Sequence, residues 1–199
     1  APNGTQLASQ TVTGASGFLD SPVLPLTGTY AVLIDPWSTY TGNMTLTLSA
    51  ELTGTIVVNG AAVPVTISRV GQNARYTFSG TANQQVSLNL TASSIAQGTV
   101  TIVKPDGTNL AAATSFSTAG GFIDAQTLPV TGTYEILVDP TPPYTGNVTL
   151  TLVGFNDITG SIAVDGPSVT STITAAGQNA RYTFSGTAGQ WINIGFTSV

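Results

Sequence analysis

The sequence predicts an all-β protein built from tandem antiparallel β-sandwich domains of jelly-roll or immunoglobulin-like type, with one complete unit flanked by two partial units. Two observations carry this prediction. A long segment is repeated along the chain, and apolar residues alternate with polar ones in almost every segment. Long-period repetition indicates an array of similar modules, and period-two alternation indicates strands with one buried face.

The repeat is clearest in two pairs of segments. GQNARYTFSGTA at residues 71–82 returns letter for letter at 177–188, and GFLDSPVLPLTGTY at 17–30 returns as GFIDAQTLPVTGTY at 121–134. The reading frame of the repeat defines three parts. We predict the later strands of a unit at residues 1–50, a complete sandwich at 53–152, and the earlier strands of a unit at 159–199.

Within the complete unit, the strand-like segments place their larger apolar residues on one face. The predicted core is Val63, Val65, Ile67, Tyr76, Phe78, Val86, Leu88, Leu90, Val100, Ile102, Tyr134, Ile136, Val138, Val148, Leu150 and Leu152. Tyr134 is predicted to be a core anchor that follows a turn made possible by Gly132. Turn signals separate the strands, among them Asn59-Gly60, Ser79-Gly80 and Pro105-Asp106-Gly107. No segment has a sustained 3.6-residue period, so an antiparallel sandwich is favoured.

The composition excludes several classes of partner. Only 7% of the residues are charged, against about 25% in an average soluble domain. Four basic residues and a net charge of −5 provide no basic patch, so we predict no nucleic-acid binding. No apolar run approaches the roughly 18 residues needed to span a bilayer, so no membrane insertion is predicted. The scarcity of lysine, the many threonines and the tandem repeats favour an extracellular or cell-surface location.

Four segments, taken in order, resemble the bacterial pre-peptidase C-terminal domain: YTFSGTANQQVSLNLT, TVTIVKPDGTNLA, GFIDAQTLPVTGTYEILVDP and YTGNVTLTL. They match that family's aromatic strand, its strand closing in PDG, its LPxTGtY strand and its final strand, over residues 71–152. The resemblance implies a jelly-roll-like sandwich in a secreted protein, serving as an accessory or spacer module. Collagen-binding modules of some bacterial collagenases look related, which implies a binding function as the alternative.

The sequence predicts no enzyme. His and Cys are absent, so neither a Ser/His/Asp nor a Cys/His arrangement can be assembled. The best carboxylate pairs are Asp20 with Asp35 and their equivalents Asp124 with Asp139. These residues lie at strand and loop ends, where Asp commonly caps turns, and we interpret them as turn residues.

No catalytic residue, metal ligand or other cofactor site is predicted. Calcium is the one ligand left open, because Asn156, Asp157 and Asp165 carry oxygen ligands in the connection before the third unit. The spacing of a DxDxDG calcium loop is absent.

Three surface motifs have a functional and a structural interpretation. LPLTG at 24–28 and LPVTG at 128–132 match the letters of a sortase signal, but each runs into a strand-like segment, which favours a turn. Tyr40 and Tyr144 are repeat-equivalent and are candidate ligand contacts, although packing over their own loop is favoured. Asn43 and Asn147 begin N-x-T sequons in the outward phase and are candidate glycosylation sites.

The two partial units are complementary, and each alone would expose half a core. The candidate assembly residues are Tyr30, Val32, Ile34, Met44 and Leu46 in the first, and Tyr182, Phe184, Trp191, Ile192, Ile194 and Phe196 in the second. We predict a non-catalytic structural repeat of an extracellular stalk, fibre or filament, whose copies assemble head-to-tail through a composite sandwich. Two alternatives stay open: an excerpt of a longer covalent array, since the equivalent of residues 94–103 is missing from the composite, and a carbohydrate- or collagen-binding accessory module of a secreted enzyme.

Overall fold

The computed structural model describes residues 1–14, 16–19 and 23–197. Eleven strands lie within these residues: β1 (Leu52–Thr55), β2 (Val63–Ile67), β3 (Ala74–Gly80), β4 (Gln85–Thr91), β5 (Gly98–Val103), β6 (Thr114–Phe116), β7 (Gly121–Thr127), β8 (Gly132–Pro140), β9 (Gly146–Phe155), β10 (Ile158–Ser161) and β11 (Ala180–Thr183). No helix is present in the part of the chain described. The all-β prediction is confirmed.

Strands β1–β9 form a sandwich of two sheets. One sheet has the order β1-β3-β8-β5-β6 and the other has the order β2-β9-β4-β7. Neighbouring strands are antiparallel except for β1 and β3, which are parallel. The prediction of a mainly antiparallel sandwich is therefore confirmed, and the parallel β1–β3 ladder is an addition to it.

The core between the sheets follows the predicted alternation. The residues predicted to face inward are buried, and the two exceptions, Val63 and Tyr76, are partly buried against the same cluster. Tyr134 is fully buried, and its ring stacks on Phe78 with centroids 5.4 Å apart. Burying a large apolar side chain stabilises the fold by roughly 1.5–3 kcal/mol, so these residues supply most of the driving force.

Gly80 and Gly132, which the sequence predicts as turn glycines, have a different role in the structure. Ser79-Gly80 was predicted as a turn, but both residues belong to β3, where Gly80 pairs with Gly132. A Cβ on Gly80 would clash with the side chain of Leu128. Gly132 does not have a left-handed backbone; a Cβ there would lie 2.7 Å from Cγ of Pro105. Both glycines therefore permit a close approach rather than an unusual turn.

Two further strands lie beyond β9 and repeat the start of the sandwich. β10 pairs in parallel with β11, with Ile158 opposite Ala180 and Gly160 opposite Tyr182. β1 pairs with β3 in the corresponding register, with Leu52 opposite Ala74 and Gly54 opposite Tyr76. The sequence repeat is thus also a structural repeat.

Candidate assembly interface

The flanking parts carry apolar side chains that the complete unit buries. Val32 is 71% exposed, whereas its repeat-equivalent Ile136 is 0% exposed, and Ile194 is 69% exposed, whereas its equivalent Leu88 is 0% exposed. Most of the other predicted assembly residues also have buried equivalents; the exceptions are Tyr182, whose equivalent Tyr76 is likewise half-buried, and Trp191, whose equivalent is the polar Gln85. Ile34, Met44, Leu46, Phe184, Trp191, Ile192 and Phe196 are exposed, and Tyr30 and Tyr182 are half-buried.

The complete unit indicates which partners these side chains would have in a sandwich. The equivalents of Val32 and Tyr182 are Ile136 and Tyr76, which lie opposite each other in the β3–β8 ladder. In the second sheet, the equivalents of Phe196 and Leu46 are Leu90 and Leu150, which lie opposite each other in the β4–β9 ladder. Each exposed set therefore corresponds to strands that pair with the other set.

The turn that leads into β8 is also formed at the equivalent residues of the first flanking part. The Tyr134 hydroxyl donates to Val130 O at 2.7 Å and accepts from Val130 N at 3.3 Å. The Tyr30 hydroxyl makes the same two bonds to Leu26, at 2.7 and 3.1 Å. The LPVTG segment is thus a tyrosine-held turn that leads into β8, as the sequence predicted.

A second contact region joins the complete unit to the segment that follows it. Ser87 lies on β4 between two core residues, so its side chain faces away from the core, yet it is 0% exposed. Its hydroxyl donates to Ala176 O at 2.6 Å. The next residue, Gly177, has φ +83°, and a Cβ there would lie 2.9 Å from Ser87 Cβ. The backbone at 176–177 therefore lies directly on the outer face of β4.

The same junction contains a paired amide and carboxylate. Gln85 Nε2 donates to Asp157 Oδ2 at 3.0 Å, and the Asp157 backbone N–H donates to Gln85 Oε1 at 3.0 Å. The hydrogen bond from Gln85, together with one from the Asn179 backbone N–H, holds the pKa of Asp157 below its usual value. The ladder between β4 and β7 shifts register at this point, and such bulges re-aim side chains.

The junction before the complete unit is built from equivalent residues. Gln72 Nε2 donates to Ala50 O at 2.9 Å, and its equivalent Gln178 donates to Asn156 O at 2.8 Å. A Cβ on Gly71 would clash with the ring of Phe18. The corresponding turn thus packs against the preceding unit in both places.

Glu51, the equivalent of Asp157, has a different partner. Its carboxylate accepts bonds from Arg75 Nε at 2.9 Å and Arg75 Nη2 at 3.2 Å, while Arg75 Nη1 donates to Glu135 at 2.6 Å. The bonds to Glu51, opposed by partial burial, and the bond to Glu135 raise the pKa of Arg75 above its usual value. Arg75 therefore joins the linker to β8 of the complete unit.

The remaining candidates lie apart from these two regions. Tyr40 is 72% exposed and Tyr144 is 38% exposed, and the side chains of Asn43 and Asn147 are exposed. Asp124 and Asp139 lie on strands of different sheets, so this pair does not line one cleft. Asp20, of the other pair, lies outside the described residues.

The described residues show neither a metal-binding cluster nor a membrane-spanning helix. Within 1–14, 16–19 and 23–197, no group of three or more His, Cys, Asp or Glu side chains is placed to hold a metal ion. Nor does this part of the chain contain a helix with the length and apolarity that bilayer crossing requires. The Asp157 carboxylate, considered above as a calcium ligand, is bonded to Gln85 and Asn179.

Sequence reasoning missed Gln85, Ser87 and Asp157 as junction residues. Their positions on the outer face of a strand and in a linker are those of ordinary solvated residues. The one available signal was the return of the linker and the GQNARYTF turn after each unit, which predicts that equivalent contacts recur.

Several solved protein structures are similar to about half of this chain. The chain is similar to the pre-peptidase C-terminal domain of collagenase from Bacillus anthracis, with 14% identity, 51% of this chain and 95% of that chain covered, and a TM-score of 0.42. It is also similar to PliG, a periplasmic inhibitor of g-type lysozyme, from Aeromonas hydrophila (14% identity, 51% and 98% covered, TM-score 0.37) and from Salmonella Typhimurium (16%, 51% and 97%, 0.37). No protein-family model and no curated protein matches the chain. A domain of the pre-peptidase C-terminal type, which the sequence resembles, is thus among the similar structures.

Proposed function

We propose that this chain is a non-catalytic structural repeat of an extracellular stalk, fibre or filament, and that its copies assemble head-to-tail. In the proposed contact, residues 159–197 of one copy and residues 1–50 of the next form one composite sandwich. The observation that carries the proposal is the matched exposure of the two flanking parts, whose repeat-equivalents pair with each other inside the complete unit.

The pairing in the composite follows from the register of the complete unit. Val32 would lie opposite Tyr182, and Tyr30 would lie opposite Phe184, as Ile136 lies opposite Tyr76 and Tyr134 opposite Phe78. Each large side chain buried would contribute roughly 1.5–3 kcal/mol. A contact of this kind joins unlike faces, so it propagates into a fibre instead of closing into a symmetric dimer.

The sheet order supports a composite without an equivalent of β5. In the complete unit, β5 lies on the outer side of β8, so β1, β3 and β8 are contiguous without it. The other sheet, β2-β9-β4-β7, contains no β5 at all. The composite would therefore keep the inner pairings of both sheets and present the β8 equivalent as an edge.

The first experiment measures assembly of the full chain by sedimentation velocity between about 1 and 100 μM, with electron microscopy of the same samples. We expect concentration-dependent head-to-tail polymers. Val32→Asp should abolish the polymers because it would bury a charge among the apolar side chains of residues 1–50, the first face. Ile194→Asp should do the same among the apolar side chains of residues 159–197, the second face. A well-folded monomer of the unaltered chain at 100 μM would contradict the proposal.

Mixing the two variants tests the head-to-tail arrangement. Each variant alone lacks one of the two faces and should remain monomeric. In a mixture, the intact first face of Ile194→Asp meets the intact second face of Val32→Asp, so dimers should form and growth should stop there. Trp37→Asp, which alters an exposed residue outside both faces, is the control and should polymerise normally. A mixture that stays monomeric would contradict the arrangement.

The second candidate function is binding of polysaccharide or collagen by an accessory module of a secreted enzyme. The observation that favours it is the exposure of the repeat-equivalent Tyr40 and Tyr144, since exposed aromatic rings are suited to such contacts. Glycan-array and collagen pull-down measurements on the full chain test it. Binding that is lost in the Tyr40→Ala, Tyr144→Ala double variant would support this function, and no binding in the unaltered chain would exclude it.

A further inference from the structure

Trp191 has the most exposed side chain among the large apolar residues of the described chain, at 97%. It is the repeat-equivalent of Gln85, which does not lie in the sandwich core but at the junction with the next unit. The exposure of Trp191 therefore has a different origin from that of Ile192 and Ile194. The equivalents of those residues, Val86 and Leu88, are covered by the other sheet of the sandwich, whereas the equivalent of Trp191 is contacted by the linker that follows the unit.

The repeat indicates which residues would contact Trp191. Gln85 contacts Asp157 through two hydrogen bonds of 3.0 Å. Asp157 is the equivalent of Glu51, which lies in the linker that follows residues 1–50. If residues 1–50 of a second copy complete the sandwich to which Trp191 belongs, the linker of that copy follows the composite as the Asp157 linker follows the complete unit.

We propose that the indole of Trp191 in one copy packs against Glu51 and Arg75 of the next copy and locks the junction between copies. The inference rests on the head-to-tail assembly proposed above. The partner is a second copy of this chain, and the surface it offers is the ion pair of Arg75 with Glu51.

At the two junctions, the residue on the linker and the residue that meets it differ together: Asp157 meets Gln85, and Glu51 would meet Trp191. Where the linker carries the short Asp157, the preceding unit supplies an amide that bonds to its carboxylate and its backbone. Where the linker carries the longer Glu51, that carboxylate is already bonded to a guanidinium, and the preceding unit supplies an indole. An indole face stacks on a planar guanidinium, and its N–H donates to a carboxylate.

The surface that would receive the indole is already ordered. Arg75 is held by two carboxylates, Glu51 and Glu135, and its side chain is 29% exposed. The guanidinium is therefore held in a fixed position at the linker of the complete unit. Because the ion pair exists before assembly, little ordering is required when the indole arrives.

The test uses the fluorescence of Trp191 in the full chain. The chain contains two tryptophans, so Trp37→Phe leaves Trp191 as the single reporter. In the sedimenting polymer we expect its emission to move to shorter wavelength and its quenching by acrylamide to fall at least threefold relative to the dilute monomer. In the same polymer, Arg75→Gln should return a large part of the quenching, because the indole loses the guanidinium that covers it.

Assembly is measured separately by sedimentation, with variants of Trp191. Trp191→Ala should raise the concentration at which half of the chains are assembled about tenfold, whereas Trp37→Ala should leave it unchanged. Trp191→Gln, which reproduces Gln85, should lie between the two. Failure of the unaltered chain to assemble would overturn both proposals. Polymers in which Trp191 is as readily quenched as in the monomer, with no effect of Trp191→Ala, would overturn this inference and leave the composite sandwich intact.

Discussion

Residues 24–36 and residues 128–140 have nearly the same sequence and different structures. LPVTGTYEILVDP forms a turn and then β8, with Tyr134, Ile136 and Val138 all 0% exposed. LPLTGTYAVLIDP forms the same tyrosine-held turn, but no strand is assigned to it, nor to the other described residues before Leu52. The turn depends on residues four apart in sequence, whereas the strand depends on partners that lie far away in sequence.

The segment after β9 completes this comparison. Residues 158–161 and 180–183 are both present there, and they form the same parallel ladder as β1 and β3. Residues 191–197, the equivalents of β4, have neither of their two neighbours in that part and are not in a strand. Strand formation in this chain therefore follows the presence of the partner strand, as expected when backbone groups need a hydrogen-bonding ladder.

The comparison predicts different behaviour for the two regions when each is isolated. Residues 52–155 contain both complete sheets of the sandwich, and domains of about 100 residues commonly fold alone. We expect this segment to give a dispersed NMR spectrum and to unfold cooperatively. Residues 1–51 expressed alone should give the spectrum of an unfolded chain. A dispersed spectrum for 1–51 at low concentration would show that the strand does not require its partners.

Tyr134 and Tyr30 make the comparison quantitative. Tyr134→Ala should destabilise the complete unit by about 3–5 kcal/mol, the usual cost of removing a buried large aromatic residue. Tyr30→Ala should change the same unfolding transition by less than about 1 kcal/mol in the dilute monomer, because Tyr30 lies outside that core. Chemical denaturation of the two full-length variants measures both values.

Tyr134→Phe separates the hydroxyl from the ring. It removes the two hydrogen bonds to Val130 and keeps the stacking on Phe78, so we expect a loss of about 1 kcal/mol. For Tyr134→Ala, a loss of unfolding free energy below about 1 kcal/mol would mean that the side chain of Tyr134 faces solvent and that the inward and outward positions of β8 are shifted by one residue.

The fold was predictable from the sequence where burial alone decides the outcome. Period-two alternation placed Val86, Leu88 and Leu90 correctly because one face of β4 packs in the core of the sandwich. The alternation gives no indication that Ser87, which is polar and faces outward, is buried by residues 176–177. Alternation reports which face packs within a sandwich, and it carries no information about packing between units.

The candidate site was predictable only in part. The exposed sets in the flanking parts follow from the repeat, because most of their positions have a buried equivalent. The role of Gln85 depends on a side-chain pair across 72 residues, whose geometry no local pattern specifies. The Ser79-Gly80 prediction failed because Gly80 permits the close approach of Leu128, which lies between β7 and β8 and is distant in sequence.

Arg75 and Arg181 occupy equivalent positions with different surroundings. Arg75 is half-buried between Glu51 and Glu135, whereas Arg181 is exposed. Arg75→Met should destabilise the complete unit by about 1–2 kcal/mol, because two carboxylates lose their shared donor. Arg181→Met should change the transition by no more than a few tenths of a kcal/mol. Thermal unfolding at low and high salt measures both, and the Arg75 effect should shrink at high salt. Equal effects of the two variants would mean that the ion pairs of Arg75 with Glu51 and Glu135 do not stabilise the complete unit.

The smallest expected difference concerns two equivalent turns, KPDGT at 104–108 and APNGT at 1–5. In the first, Asp106 Oδ1 accepts bonds from the Thr108 hydroxyl at 2.7 Å and the Thr108 backbone N–H at 2.9 Å. In the second, Asn3 Oδ1 accepts from the Thr5 backbone N–H at 3.1 Å. The bonds from Thr108, with a further one from Lys104, lower the pKa of Asp106 from 3.8 to about 2.

Because the pKa of Asp106 is lower in the folded protein than in the unfolded chain, the charged turn is favoured above pH 3.8 and loses this advantage as the pH falls toward 2. The amide resonance of Thr108 should therefore titrate with a midpoint near pH 2. The amide resonance of Thr5 should not titrate, because the carboxamide of Asn3 has no ionisation in this pH range. Asp106→Asn should make the first turn behave like the second and remove the titration of Thr108. NMR of the full chain between pH 1.5 and 6 measures both resonances together, and a Thr108 midpoint near pH 4 would mean that the Thr108 hydrogen bonds do not persist in solution.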